Sequence, residues 1–289
     1  MKKFLVLIVM VFTSFLISGC EIKRDKLEDV DIYTTVYPIE FIVESLYGKN
    51  AEVYSIYPAE VNLDEYSLTE KQISTYSKSA LFIYNGLSNE KVIARDMLNA
   101  NTNLKLIDVS QGLEYEHSIE ELWLNPRDYL MLAHNVKNGL EEYITNKYII
   151  EEIEKDYETL KILVSSFDAE LNAMSLNAED NNIVIGSDAL LFLEKYGFSI
   201  TNVSKDKEEV PSAVMSKVKR LISEKKVKYI FILDNENETD EIKELVKAGA
   251  KTVKLRSMTI KTEADVTNGI TYKNMMQETL DALKKEVYE

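Results

Sequence analysis

The stretch that decides the fold is NKYIIEEIEKDYETLKILVSSFDAELNAM, residues 146–174. Its apolar side chains recur at alternating steps of three and four residues, which is the spacing that lines one face of an α-helix. Asn146 suits the N-cap position, and neither proline nor glycine interrupts the run. The expected apolar face consists of Ile150, Ile153, Tyr157, Leu160, Val164, Phe167, Leu171 and Met174. The stretch therefore predicts one helix of roughly 40 Å.

On both sides of this helix, short apolar runs alternate with amphipathic segments. The runs that read as strands are 32–36, 53–57, 81–84 and 104–109 before the helix, and 183–185, 199–203, 229–233 and 252–255 after it. Strands that alternate with helices form parallel sheets through right-handed crossovers. The sequence predicts an α/β protein of two lobes, each a mostly parallel four-stranded sheet flanked by helices. The expected boundaries are 31–140 for the first lobe, 141–178 for the linking helix and 179–289 for the second lobe.

The N-terminus has the pattern of an export signal. Lys2 and Lys3 precede the apolar run 4–17, and Ser18-Gly19-Cys20 follows. This pattern resembles the lipobox of bacterial lipoproteins, which predicts a signal peptide over 1–20, a lipidated Cys20, a polar tether over 21–30 and attachment to the outer face of the cell membrane. Cys20 is the only cysteine, so a disulfide within the chain is excluded. The other interpretation is a buried, inert thiol.

Composition excludes several classes of function. The chain has 289 residues and a formal net charge of −15, and no basic cluster appears, so nucleic acid is not an expected partner. A negative field attracts cations, although a solvated acidic surface explains the same charge. We find no phosphate-binding glycine loop and no nucleophile elbow, and we predict a monomeric binding protein that is not an enzyme, with a hydrolase as a remote alternative.

Several short motifs carry a resemblance to a known family. They are the loop 58–66, Asn85-Gly86-Leu87 with Glu90, Trp123-Leu124-Asn125-Pro126, Lys195-Tyr196-Gly197, Pro211-Ser212-Ala213, and Ile270-Thr271-Tyr272 with Met275-Met276. In order and spacing they resemble the solute-binding lipoproteins of zinc and manganese ABC importers, including the streptococcal adhesin-type lipoproteins. The resemblance implies two α/β lobes joined by a rigid helix, an ion held in the cleft between them, and an ABC permease as partner.

The family's four metal-ligand positions carry other residues here. The resemblance places them at Asp64, Glu121, Ser187 and Arg256, which we take as the candidate ligand cleft. Zinc sites use mostly imidazole and thiolate, whereas the mature chain offers only His117, His134 and Cys20. Asp64 and Glu121 are the candidate metal ligands. With Ser187 and water they would suit Mn²⁺, Mg²⁺ or Ca²⁺.

Arg256 suggests a different use of the same cleft. A guanidinium repels a cation, and its planar donors suit bidentate bonds to a carboxylate. We therefore consider two functions. The first is import of zinc or manganese. The second is a divergent paralogue in which Arg256 replaces the ion, pairing with Asp64 or Glu121 or binding an organic anion, and which serves as a surface adhesin or accessory lipoprotein.

The two histidines and one further acidic run each allow a functional and a purely structural interpretation. His117, within the acidic stretch 114–121, is either a recruited ligand or, as we favour, part of a surface loop. His134 reads as a packed or solvent-facing helix residue. The run 234–238 follows a strand and can reach the cleft, but we favour a loop in which Asn237 caps the next helix.

Overall fold

The computed structural model describes residues 25–63, 65–204 and 210–288. The signal-peptide prediction with Cys20, and the candidate ligand Asp64, lie outside the described residues. The first lobe contains β1 (Val30–Thr34), α1 (Tyr37–Tyr47), β2 (Ala51–Ser55), α2 (Glu70–Tyr76), β3 (Leu81–Tyr84), α3 (Glu90–Ala100), β4 (Lys105–Asp108), α4 (Glu121–Leu124) and α5 (Pro126–Tyr143).

The long helix α6 (Lys147–Asn177) leads into the second lobe. This lobe contains β5 (Asn182–Ile185), a 3-10 helix (Asp188–Tyr196), β6 (Ser199–Asn202), α7 (Ser212–Ser223), β7 (Tyr229–Leu233), α8 (Asp240–Lys247), β8 (Lys251–Leu255), α9 (Glu263–Thr267) and α10 (Tyr272–Tyr288). None of the helices within the described ranges is long and apolar enough to cross a membrane.

Each lobe is built on a four-stranded parallel sheet. The strand orders are β2-β1-β3-β4 and β6-β5-β7-β8, so the two sheets share one topology. In the first sheet, for example, Ile32 lies opposite Val53 on one side and Leu81 on the other. The prediction of two α/β lobes with four-stranded sheets is confirmed, and every strand pair described is parallel.

Helix α6 begins where the sequence predicts. The side chain of Asn146 accepts a hydrogen bond from the backbone N–H of Tyr148 at 3.1 Å. Its apolar stripe is buried as expected from Ile153 to Met174, while Ile150 and Tyr157 are half-buried and Ile149 is buried. The helix packs on α1 and α5 of the first lobe and on α10 and the 3-10 helix of the second lobe. One continuous helix therefore contributes to the cores of both lobes.

The two lobes share one apolar core near the middle of α6. Tyr272, the first residue of α10, stacks on Tyr129 of α5 with the ring centroids 4.0 Å apart. Its hydroxyl donates to the backbone carbonyl of Trp123 at 2.7 Å. All three side chains are almost completely buried. A residue of the C-terminal helix thus completes the core of the first lobe.

Residues 25–30, which we expected to belong to a flexible tether, pack onto the fold. Leu27 is completely buried, and its carbonyl accepts a hydrogen bond from the hydroxyl of Tyr47 at 2.9 Å. The carboxylate of Asp25 accepts the backbone N–H groups of Thr145 and Asn146 at 2.7 and 3.0 Å. Because these donors lie at the N-terminus of α6, Asp25 supplies a second cap to that helix.

Local contacts shape two of the helices, and one of them corrects a prediction. Helix α5 runs through Gly139 to Tyr143. A Cβ atom at Gly139 would lie 2.6 Å from the side chain of Ile107, so the glycine permits close packing of α5 against β4. Helix α8 is capped by Thr239, whose hydroxyl accepts from the N–H of Ile242 at 3.3 Å, and not by Asn237.

The shared core predicts a cost for removing one hydroxyl. Tyr272→Phe keeps the ring stack but leaves the buried carbonyl of Trp123 without the phenol as donor. We expect the free energy of unfolding to fall by about 1 to 2 kcal/mol, measured by urea denaturation. Tyr148→Phe, at a side chain that is 84% exposed, is the matched control and should change stability by less than about 0.5 kcal/mol. Equal effects of the two variants would contradict the role given to Tyr272.

Candidate functional site

The carboxyl-terminal edges of the two sheets meet between the lobes. Tyr37, which follows β1, donates its backbone N–H to the carbonyl of Thr259, which follows β8, at 3.0 Å. Near them, the indole N–H of Trp123 donates to the carbonyl of Ser257 at 2.8 Å. Ligands of open parallel sheets bind beyond the carboxyl ends of strands. The cleft at this edge is therefore the candidate functional site.

Ser187 and Glu236 form the part of the site that follows β5 and β7. The hydroxyl of Ser187, which is buried, donates to Oε1 of Glu236 at 2.8 Å. The backbone N–H of Leu233 donates to Oε2 of the same carboxylate at 2.9 Å. The acidic run 234–238 therefore does reach the cleft, which is the interpretation that we did not favour.

Other carboxylates act on Glu236 across the cleft. Burial raises the pKa of Glu236, and the charges of Glu120 and Asp188 raise it further, against the bonds from Leu233 and Ser187 that lower it. Glu120 belongs to the first lobe, whereas Asp188 begins the 3-10 helix of the second lobe. Negative charges from both lobes thus act on Glu236, and a cation beside this carboxylate would relieve the repulsion.

The side chain of Glu121 accepts hydrogen bonds from the loop that precedes it. Its side chain is buried, and Oε1 accepts the backbone N–H groups of His117 and Ser118, each at 3.0 Å. The side chain of His117 is exposed, as expected for a surface loop. One carboxylate oxygen of Glu121 therefore holds the turn that leads into α4.

Arg256 forms its ion pairs within the second lobe. Its guanidinium donates to Asp265 of α9, and its Nε lies 3.9 Å from Oδ2 of Asp234. Within the described part of the chain, Glu121 is not an ion-pair partner of Arg256, and Asp64, the other partner that we considered, lies outside that part, so a pairing of Arg256 with Asp64 stays a prediction. Helix α9 supplies the carboxylate that Arg256 does contact, and hydrogen bonds from Thr262 hold that carboxylate in place.

Asp265 is a strong partner for this guanidinium. Burial alone would raise the pKa of Asp265, but hydrogen bonds from Thr262 and Arg256 lower it below the ordinary value. Asp265 also occupies position N3 of a capping box whose N-cap residue is Thr262. The pattern Thr-x-x-Asp at 262–265 is the sequence signal that could have located this carboxylate.

Residues 256–262 form a strap from the second lobe to the first. Arg256 and the N–H of Ser257, which donates to Oδ1 of Asp234 at 2.9 Å, hold its beginning in the second lobe. The carbonyls of Ser257 and Thr259 accept from the first lobe, as described above. Met258 lies between them, buried, with a φ of 62°, a conformation that a side chain of this size rarely adopts. The hydrogen bonds on both sides compensate for that strain.

The end of the strap places a lysine beside two carboxylates of the first lobe. Nζ of Lys261 lies 3.8 Å from Oε1 of Glu40 and 4.6 Å from the ring centroid of Tyr37. Burial and the charge of Glu44 raise the pKa of Glu40 to about 7, against the opposing charge of Lys261. Glu40 therefore titrates near neutral pH at a contact between the lobes.

The motif at 85–90 has a structural role at the first-lobe edge. The backbone N–H of Asn85 donates to Oε2 of Glu90 at 2.7 Å, and that of Gly86 donates to Oδ1 of Asp108 at 2.9 Å. Burial raises the pKa of Glu90 to about 7, and the charge of Asp108 adds to the rise. Both carboxyl groups hold the loop that follows β3.

The residues of the cleft do not form a preassembled zinc site. The described ranges contain no group of three or more histidine, cysteine, aspartate or glutamate side chains placed to hold a metal ion. His134 lies on α5, where its ring faces Tyr157 and Nε2 lies 3.0 Å from Nδ2 of Asn138. The donors at the cleft are carboxylates and a hydroxyl, which suit ions that prefer oxygen.

Removing Arg256 should loosen the strap. Arg256→Met leaves Asp265, whose side chain is 8% exposed, without its cationic partner. We expect the free energy of unfolding to fall by about 2 to 4 kcal/mol. Arg95→Met is the matched control, because the exposed pair of Arg95 with Asp96 contributes less than about 1 kcal/mol. A loss for Arg256→Met no larger than that of the control would refute the anchoring role.

The raised pKa of Glu40 predicts a pH dependence with a definite sign. Because the folded protein holds this proton more tightly than the unfolded chain, the contribution of Glu40 to stability is lost as pH rises from about 4.5 to 7. Glu40→Gln should stabilise the protein by about 1 to 3 kcal/mol more at pH 8.5 than at pH 5, measured by denaturation at both values. Glu158→Gln, at an exposed position of α6, should show no such difference. A Glu40→Gln variant that is equally affected at both pH values would contradict the assignment.

Comparisons with known proteins agree with this architecture. Residues 32–286 match the family model described as "Zinc-uptake complex component A periplasmic". The high-affinity zinc uptake system protein ZnuA of Bacillus subtilis is 25% identical over 293 residues, which cover 91% of this chain and 88% of that protein. The zinc-binding lipoprotein AdcA of Streptococcus pneumoniae serotype 4 is 23% identical over 312 residues. The match covers 99% of this chain but spans only 61% of the length of AdcA.

A solved structure shows the same fold. The Zn(II)-bound ZnuA-like domain of S. pneumoniae AdcA superposes with a TM-score of 0.72 at 22% identity, covering 90% of this chain and all of that domain. The family match extends over nearly the whole length of both lobes and includes the strap. The resemblance inferred from short motifs is thereby confirmed, and the chain belongs to the family of the zinc-uptake complex component A.

Proposed function

We propose that this chain is the solute-binding component of an ABC importer of the zinc-uptake type and that it holds a divalent cation between its lobes. The observation that carries the proposal is the carboxylate of Glu236, which the hydroxyl of Ser187 and the N–H of Leu233 hold at the carboxyl-terminal edge of the second sheet. Burial raises its pKa, and the charges of Glu120 from the first lobe and Asp188 from the second raise it further. A divalent cation would remove that repulsion and draw the lobes together. Asp64 and Ser187 are the further ligands that we propose for it.

The donor chemistry bears on which cation is bound. The relatives named above are described as zinc proteins, but zinc prefers imidazole and thiolate, which this cleft lacks among its described residues. Carboxylate and hydroxyl oxygens suit Mn²⁺, and a site without imidazole or thiolate lacks the ligands that select zinc. We therefore propose that the cargo is a divalent cation bound through oxygen, with Mn²⁺ and Zn²⁺ as the two candidates.

The charge of Arg256 does not oppose this proposal. The guanidinium pairs with Asp234 and Asp265, so the three side chains together carry a net charge of −1. The pairing also occupies the fork that an organic carboxylate would need. An organic-anion site built on Arg256 is therefore the less favoured function.

The same proposal includes attachment and delivery. A signal peptide over 1–20 and lipidation of Cys20 would place the two lobes at the outer face of the membrane. An ABC permease would receive the ion there from a monomeric carrier. The domain boundaries 31–140, 141–178 and 179–289 remain proposals for the units that move as the cleft closes.

Titration with metal ions tests the proposed cargo. We expect Mn²⁺ to raise the melting temperature, because a ligand that binds only the folded state at a hundred times its Kd adds about 2.7 kcal/mol of stability. Glu236→Gln should weaken Mn²⁺ binding by about tenfold or more, whereas Glu278→Gln, an exposed position on α10 with the same charge change, should leave it unchanged.

Two results would contradict the proposal. One is a melting temperature that no divalent cation raises at millimolar concentration. The other is a protein that small carboxylates stabilise while Mn²⁺ and Zn²⁺ do not, which would favour the organic-anion function instead.

A further inference from the structure

A second concave site lies at the opposite edge of the second sheet. A cavity of about 250 Å³ opens where β7 and β8 begin, and three lysines line it: Lys225, Lys228 and Lys251. This is the amino-terminal edge of the strands, whereas the proposed cation cleft lies at their carboxyl-terminal edge. The cavity is therefore separate from the cleft.

The lysines of this cavity differ from many others on the surface. Lys161, Lys219 and Lys243 each lie within 4.0 Å of a glutamate or aspartate oxygen. In contrast, no carboxylate oxygen in the described ranges comes that close to the ammonium groups of the three cavity lysines. In a chain with a net charge of −15, three positive charges around one cavity are unusual, and they repel one another unless an anion lies between them.

The backbone holds the three positions together. The N–H of Lys251 donates to the carbonyl of Lys228 at 2.8 Å, which joins the starts of the two strands. Lys225 has a φ of 59°, in the turn that ends α7. Gly249, with a φ of 118°, lines the cavity without a side chain to fill it. The cavity thus depends on two residues in the left-handed region, which local packing must stabilise.

One carboxylate near the cavity has other partners. The carboxylate of Glu286, on α10, accepts hydrogen bonds from two backbone N–H groups. That of Lys228 lies 3.0 Å from Oε1, and that of Tyr229 lies 3.0 Å from Oε2. Burial raises the pKa of Glu286, and these N–H groups and the charge of Lys228 oppose the rise. The carboxylate therefore balances part of the charge of Lys228, whereas Lys225 and Lys251 form no salt bridge within the described ranges.

We propose that this cavity binds a small phosphate ester. Lysine binds phosphate as a compact point charge with several donors, and three lysines match the two negative charges and the oxygens of a phosphate monoester. Ile222, Val227 and Tyr229 supply an apolar wall for a short organic part. The volume is below the range typical of pockets for drug-sized ligands, so the ligand has few carbon atoms.

Titration of the purified protein with glycerol 3-phosphate and with inorganic phosphate tests the site. We expect isothermal titration calorimetry to detect binding, with an affinity that falls as the salt concentration is raised from about 20 to about 300 mM. Interactions between exposed charges are weakly screened at the lower concentration and strongly screened at the higher one. The triple variant Lys225→Gln, Lys228→Gln, Lys251→Gln should bind about tenfold more weakly or worse. The control is Lys161→Gln, Lys219→Gln, Lys243→Gln, which changes the net charge equally and should bind as the unchanged protein does.

Vesicles containing phosphatidylglycerol distinguish the source of the phosphate. Binding to vesicles but not to glycerol 3-phosphate, lost in the cavity variant alone, assigns the site to a lipid headgroup, whereas binding to the free ester assigns it to a soluble ligand. The proposal is overturned if none of the probes binds, or if both triple variants lose binding equally. Because Mn²⁺ binding is not expected to change in either variant, failure here is separate from failure of the proposed cation cleft.

Discussion

The whole arrangement depends on the buried contact of Tyr272 with Trp123 and Tyr129. It joins the C-terminal helix to the first lobe, and the stripe of α6 continues the same core into both lobes. A hinged protein with two independent cores would let its lobes separate freely. Here the shared core and the hydrogen bonds of the strap restrict the movement of one lobe against the other.

The strap connects the candidate cation site to the contact between the lobes. Asp234 binds both Arg256 and the N–H of Ser257, and it belongs to the same loop as Glu236. A change in charge at Glu236 therefore acts on a loop that holds the beginning of the strap. At the other end, Glu40 and Lys261 make the contact sensitive to pH near neutrality. Binding of a cation at Glu236 and protonation of Glu40 would thus both act on the strap.

The candidate site illustrates which parts of a site a sequence reveals. Ser187 and Arg256, which the resemblance singled out, directly follow the ends of β5 and β8, and a parallel sheet places such strand ends along one edge. The sequence did not identify the carboxylates that these two side chains contact. Asp265 lies nine residues from Arg256 along the chain, and Glu236 lies 49 residues from Ser187. Which of 49 acidic residues reaches a given donor depends on loop conformation, and loop conformation depends on contacts with the other lobe.

The sequence by itself determined the class of the fold, the extent of the long helix and the division into two parallel sheets, because periodicity and strand alternation follow from local geometry that each segment carries alone. It also determined that a zinc shell rich in nitrogen or sulfur is unattainable, since the side chains are missing. Only the tertiary structure decided that Arg256 pairs with Asp234 and Asp265, that Asp25 and Leu27 pack against the start of α6 and against α1, and that three lysines surround one cavity. Those outcomes depend on distances between residues remote in the chain, and packing alone sets such distances.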